Sequence, residues 1–307
     1  MVPDLRNRYL CSMFYRRKVL LALLQLFNGH LEKIRLQKLL FLFCQKQEKA
    51  EYDFVPYKYG CFSYSANADL NAMASKGLLI ENSNDGYRKA DKIDYLKTLK
   101  PGDREMLVKT TVAYGGMNGD ALMKHTYLSF PYFAVNSIKA PEILSKAELD
   151  IVSASKPKGQ ATVLYTIGYE GTSLEHYLNR LLKNDVRLLI DVRSNPLSMK
   201  YGFSKGPLRR CCENLGIEYL HLPDVGIHSQ HRQELNTQDD YDKLFQIYRK
   251  STLPKTITTQ AEILTLLEKH KRIALTCFEA NICQCHRKHL AEAIAGLSGF
   301  KYEVKHI

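Results

Sequence analysis

The sequence predicts an α/β domain with a mainly parallel sheet and helices on both faces, preceded by a mostly helical, winged-helix-like domain. Three observations carry this expectation. Between residues 161 and 307 short apolar runs alternate with helically spaced segments. Residues 1–136 read instead as helices followed by a hairpin. A stretch rich in Lys, Ser, Ala and Pro, residues 137–160, separates the two and reads as a linker. With 307 residues and 45% hydrophobic content, the chain is long enough to bury two cores.

In the first half, residues 16–27 place Val19, Leu20, Leu23, Leu24 and Phe27 on one helical face, and residues 34–43 repeat the pattern. Asn28-Gly29 stops the first of these helices. Residues 52–65, aromatic-rich with Pro56 and Gly60, read as a loop crossing back over the helices. A third helix is expected over 68–76, closed by Gly77. Short extended pieces at 78–81 and 86–89 flank Asn82-Ser83-Asn84-Asp85, the composition of a hairpin turn.

In the second half, strands are expected at 163–168, 188–192, 217–222, 273–278 and 303–307. Helices are expected at 173–182, 203–215, 241–250, 258–270 and 287–295. In open α/β sheets the loops at the carboxyl ends of the strands surround a crevice, and four strand ends here are polar. The first runs through Gly168, Tyr169, Glu170 and Gly171; its glycines permit close backbone approach, and Thr172 or Ser173 can cap the helix that follows. The second is Asp191-Val192-Arg193-Ser194-Asn195-Pro196, and the third is His221-Leu222-Pro223-Asp224-Val225-Gly226. The fourth is Cys277-Phe278-Glu279, continuing to Cys285-His286-Arg287.

The residue types suggest chemistry, each with a plainer alternative. Arg193 and Arg287 offer planar forks of donors suited to phosphate or carboxylate, and two guanidiniums converging from separate strands call for an anion between them. Asp191 either orients Arg193 or serves as a base; the alternative is a structural ion pair. Glu279 and His221 form a candidate acid–base pair, against a simple Glu279–Arg287 salt bridge. Cys285 precedes the last helix, whose amides and dipole favour a thiolate, and His286 adds possible charge; the alternative is a packed cysteine beside an anion-binding arginine. The catalytic candidates are therefore Asp191, His221, Glu279 and Cys285, and the substrate- or anion-binding candidates are Tyr169, Arg193, His286 and Arg287. His228, His231 and Arg232 sit in a loop that either touches substrate or is solvated. No P-loop, Rossmann glycine fingerprint or serine triad is present.

Two resemblances follow from these motifs. Leu36-Gln37-Lys38-Leu39-Leu40-Phe41, then Pro56-Tyr57-Lys58-Tyr59-Gly60-Cys61-Phe62-Ser63, then Asp69-Leu70 and Gly77-Leu78 resemble the Panacea-like group, domain of unknown function 4065, over about the first 135 residues. That group occurs in antitoxins and in proteins linked to phage conflict; Cys61 stands where it has proline. The motifs at 166–169, 191–196, 221–226, 277–279 and 285–287 resemble domain of unknown function 488 across 162–307, with Ile227-His228 departing from its pattern of a second glycine and a basic residue. Cys277, Cys283, Cys285, His286 and His289 lie within thirteen positions, a spacing that invites zinc. Cys283 falls outside that family's pattern and Cys277 sits in an apolar strand, so neither metal nor cofactor is expected. Cys211 and Cys212 are read as packed on a helix.

Net charge is +12, divided as +8 over residues 1–160 and +4 over 161–307, which favours a polyanionic partner for the first half. Apolar runs at 19–27 and 39–44 are far shorter than the ~20 residues that cross a bilayer, and no secretory pattern is visible. The expectation is a cytoplasmic protein with reduced cysteines and no membrane contact. It is directed at DNA or a nucleotide and possesses hydrolase- or glycosidase-type equipment; the resemblances imply a setting in phage defence or DNA maintenance. A non-enzymatic sensor of modified DNA or nucleotide, or an antitoxin-like interaction protein engaging a protein partner through the first domain, are the alternatives.

Overall fold

The computed structural model describes residues 13–82, 86–227, 235 and 237–307. The chain divides into two compact units, Met1–Lys156 and Pro157–Ile307.

The first unit opens with α1 (Tyr15–Leu26), which buries Leu20, Leu21, Leu23 and Leu24, and the leucines of α2 (Lys33–Cys44) are buried as well. Asn28 and Gly29, both at positive φ, end α1 and turn the chain into β1 (His30–Leu31), which precedes α2. The expected loop at 52–65 contains a hairpin, β2 (Val55–Tyr57) and β3 (Gly60–Phe62), which turns at Gly60 with φ +84°. A Cβ at Gly60 would lie 2.3 Å from the Tyr127 ring, so glycine is needed for space as well as for the turn. Strands this short show no readable alternation, hence the misreading. Helix α3 (Tyr64–Ser75) starts four residues before the expected 68, because Ser63 caps it by accepting from the Ala66 amide at 3.1 Å. Then follow β4 (Leu79–Asn82) and β5 (Gly86–Lys89), an antiparallel pair to which β1 adds, giving the order β1-β5-β4. Residues 83–85 of the turn lie outside the described residues.

Helices α4 (Pro101–Tyr114), α5 (Gly119–Ser129), α6 (Ala140–Ile143) and α7 (Lys146–Ala154) complete the unit. The last two correct the linker expectation. Ser145 and Glu148 form a reciprocal capping box at the start of α7, and Val152 and Leu149 pack with Met123, Tyr127, Ala140 and Leu144. A polar composition concealed a short amphipathic helix, and the division between units falls at Lys156 and Pro157.

The second unit begins with β6 (Val163–Gly168), α8 (Leu174–Lys183), β7 (Leu188–Asp191), α9 (Lys205–Glu213) and β8 (Glu218–His221). It continues with α10 (Gln238–Ile247), α11 (Ile257–His270), β9 (Arg272–Cys277), α12 (His286–Ala295) and β10 (Glu303–His306). The five strands are parallel in the order β10-β6-β9-β7-β8. Because strand side chains alternate, Ile273 and Leu275 of β9 pack with α10, α11 and α12 on one face, whereas Thr276 accepts the Tyr177 hydroxyl of α8 at 2.8 Å on the other. Helices therefore cover both faces, and β6, β7 and β9 are buried throughout. The seven cysteines among the described residues are thiols. No helix among them is long and apolar enough to cross a membrane.

Candidate functional site

The chain leaves β7 toward the β8 edge and leaves β9 back across β6 toward β10. The loops diverge between these neighbours, and a crevice opens at their carboxyl ends. It is a cavity of about 480 Å³, lined by Tyr169 after β6, residues 193–195 and 197–200 after β7, Ile227, and Cys277 and Phe278 at the end of β9.

Arg193 supplies charge to its wall, and Asp191 holds Arg193 from behind. Asp191 is fully buried at the last position of β7. Arg193 turns back onto it in a fork, Nε donating to Oδ1 at 2.8 Å and Nη2 to Oδ2 at 2.5 Å. Tyr219, from β8, donates a third bond to Oδ2 at 2.6 Å. Burial opposes the charge on Arg193, but the hydrogen bonds and charge of Asp191 outweigh it and raise its pKa, so the guanidinium stays ionised. Burial first, then the Asp191 charge, push the Tyr219 phenol upward as well. Arg193 Nη1 donates to the Tyr169 hydroxyl at 2.7 Å; of the five guanidinium N–H groups, one on each terminal nitrogen remains beyond these bonds.

Aromatic packing fixes Tyr169. Its ring stacks on Phe203 at 4.3 Å and 9°, and meets Phe278 edge-on at 5.3 Å. Lys200 Nζ donates to the Tyr169 carbonyl at 2.8 Å, and burial lowers its pKa. The rim is apolar and exposed at Leu197, Met199 and Phe278. Gly168 serves a different purpose from the one expected. A Cβ there would stand 1.9 Å from the Glu279 carbonyl, so the close approach is made by the chain itself; Gly171, at φ +69°, faces open space.

The remaining sequence candidates stand behind the cavity wall. His221 Nε2 lies 2.8 Å from the Arg193 carbonyl, which can only accept, so Nε2 carries the proton and Nδ1 accepts from Lys205 Nζ at 3.0 Å. Glu279 belongs to another network, with Oε2 accepting from the Cys277 thiol at 3.2 Å. The acid–base pair read from sequence is thus divided between two networks. Arg287 is buried, with Nη1 on the Glu279 carbonyl and Nη2 on that of Ala280 at 3.3 Å, and it does not join Arg193 on the cavity wall. His286 is buried, its Nε2 3.1 Å from the Val192 carbonyl. Cys285 is fully buried, and burial, together with Cys277, pushes its thiol well above the ordinary range, the opposite of an activated nucleophile. His228, His231 and Arg232 lie outside the described residues.

Tyr169 and Arg193 are the sequence candidates that line the cavity. Sequence reasoning missed Lys200, Leu197 and Met199 on its wall and rim, and Phe203 and Tyr219 in its supports. Only the apolar residues in an otherwise polar loop gave a signal. A second cavity, about 440 Å³, lies in the first unit among Lys38, Tyr57, Tyr59 and Tyr87; buried Lys38 donates there to the carbonyls of Tyr59 and Cys61.

A parallel five-stranded α/β sheet with its crevice at the point where the loops diverge defines the class of the second unit. Residues 173–294 match a family model described as Domain of unknown function DUF488. The match runs from the cap of α8 into α12 and includes the second, third and fourth polar strand ends. No curated protein matches the chain.

Proposed function

We propose that the second unit recognises a phosphate-bearing, nucleotide-like ligand at the carboxyl ends of its strands. The observation that carries this reading is the pairing of two cations, Arg193 and Lys200, with an exposed apolar rim of Leu197, Met199 and Phe278 around one cavity. A guanidinium held by Asp191 is preorganised for an oxyanion, and the rim suits a flat base. Asp191, His221, Glu279 and Cys285 are not among the lining residues, which favours recognition over hydrolase- or glycosidase-type turnover. In the first unit, α1, β1, α2, α3 and the β4–β5 pair, with the β2–β3 hairpin inserted between α2 and α3, support a winged-helix reading. Its basic excess favours DNA, or a protein partner in an antitoxin-like assembly, as its contact. Phage defence or DNA maintenance is the setting proposed for the whole.

Isothermal titration of the full chain with adenosine monophosphate and with inorganic phosphate tests the reading. Saturable binding of the nucleotide is expected, tighter than phosphate and weakened on the order of tenfold, ~1.4 kcal/mol, by Lys200→Ala. No saturable binding, or binding unchanged in that variant, would overturn it. Release of base or phosphate that stops in Glu279→Gln would replace recognition with catalysis.

A further inference from the structure

The five Cys and His residues gathered between 277 and 289 are sorted by the fold into two groups. Cys283 is exposed on a short turn, and His289 bonds Glu292 at 3.2 Å along its own helix. The other three converge. Cys277 ends β9, Cys285 caps α12, and His286 is the first residue of α12. One donor atom from each lies within 4.8 Å of the others, and all three residues are buried. We infer that Cys277, Cys285 and His286 bind a structural zinc ion, with Glu279, which contacts Cys277 but stands outside this three-residue group, turning in as the fourth ligand.

Three features point to an ion. The first is the histidine tautomer. A backbone carbonyl can only accept, so His286 Nε2 carries its proton toward Val192, and the Nδ1 lone pair faces Cys277 Sγ at 3.6 Å. Metal-bound histidines are oriented in this way by a second hydrogen bond. The second is spacing. Zinc–sulfur and zinc–nitrogen bond lengths at a tetrahedral angle place sulfur and nitrogen about 3.6 Å apart, and this edge is already present. Glu279 Oε2, 3.2 Å from Cys277 Sγ, is a few tenths of an ångström from the corresponding sulfur–oxygen edge of about 3.6 Å. The third is charge. Two thiolates neutralise the divalent ion, and the amino end of α12 favours the thiolates.

Binding would exchange two thiol protons, released to solvent, for two zinc–sulfur bonds, with no change in oxidation state. Four protein ligands leave no open position, so the ion would tie β9 to α12 and fix the loop that sets Phe278 at the cavity. The inference does not depend on what the cavity binds.

The test uses the full chain, stripped with a chelator under a thiol-free reductant and titrated with Co²⁺, then with Zn²⁺. The expected result is about one equivalent of cobalt showing a thiolate-to-metal charge-transfer band and the strong visible bands of a tetrahedral site, displaced by zinc. Cys277→Ser and Cys285→Ser should each weaken binding at least about tenfold, Glu279→Gln less, and Cys283→Ser not at all. Wild-type protein that takes up cobalt without a thiolate band, or less than about a tenth of an equivalent, would overturn the inference whatever the variants' folding. So would uptake lost in Cys283→Ser but kept in Cys277→Ser and Cys285→Ser.

Discussion

Asp191 accepts two side-chain bonds from Arg193 and one from Tyr219 while fully buried. Replacing it leaves a buried guanidinium without its counter-charge, and the cost of breaking such a pair exceeds what the intact pair contributes. Asp191→Asn is expected to destabilise the second unit by about 3–5 kcal/mol in urea unfolding, whereas Tyr219→Phe, which removes one hydrogen bond, should cost about 1 kcal/mol. Equal costs for the two would contradict the network described. Gly168→Ala should cost about 1–3 kcal/mol, because the Glu279 backbone must shift to admit a methyl group. Cysteine chemistry separates in the same way. Cys283 is exposed while Cys285 is fully buried. Alkylation of the native chain mapped by mass spectrometry should therefore modify Cys283 first, with Cys285 unreactive until the chain unfolds. Early labelling of Cys285 at neutral pH would restore the nucleophile reading. At this scale the sequence showed which side chains were unusual but not their partners. Arg287 and Arg193 look alike in a motif, and only the fold assigns one to backbone carbonyls and the other to the cavity wall.

The elements of the second unit were legible because buried parallel strands are unbroken apolar runs and their helices carry strong 3.6-residue periods. Strand β6 matches its expectation residue for residue, and α11 differs by one at its start. Elements defined by other signals were not legible. The β2–β3 hairpin depends on one glycine and on the space left by Tyr127, and α7 depends on a capping box within a stretch whose composition resembles a linker. That correction has a consequence for proteolysis. Residues 140–154 should resist limited trypsin digestion, and early cleavage near the unit division should fall after Lys158, since the Lys156–Pro157 bond is not a trypsin site. Early cleavage at Lys146 would mean that α7 is not held against Leu144 and Tyr127.

For the whole molecule, division into two units was readable from the change of periodic pattern, and the crevice from the rule that open α/β sheets bind at strand ends. The strand order was not readable. It places β9 between β6 and β7, and so brings Cys277 and Phe278 to the same cavity as Arg193. Lys200, Leu197 and Met199 lay in a loop whose path depends on that order, so the apolar Leu197 and Met199 stood out locally without showing where they face. The central claim, that this cavity takes a phosphate-bearing ligand, is tested most directly by a crystal structure of the full chain with adenosine monophosphate. The phosphate is predicted within hydrogen-bond distance of Arg193 and Lys200, with the base against Phe278 and the Leu197–Met199 rim. Nucleotide bound elsewhere, or an empty cavity at saturating nucleotide, would contradict the account.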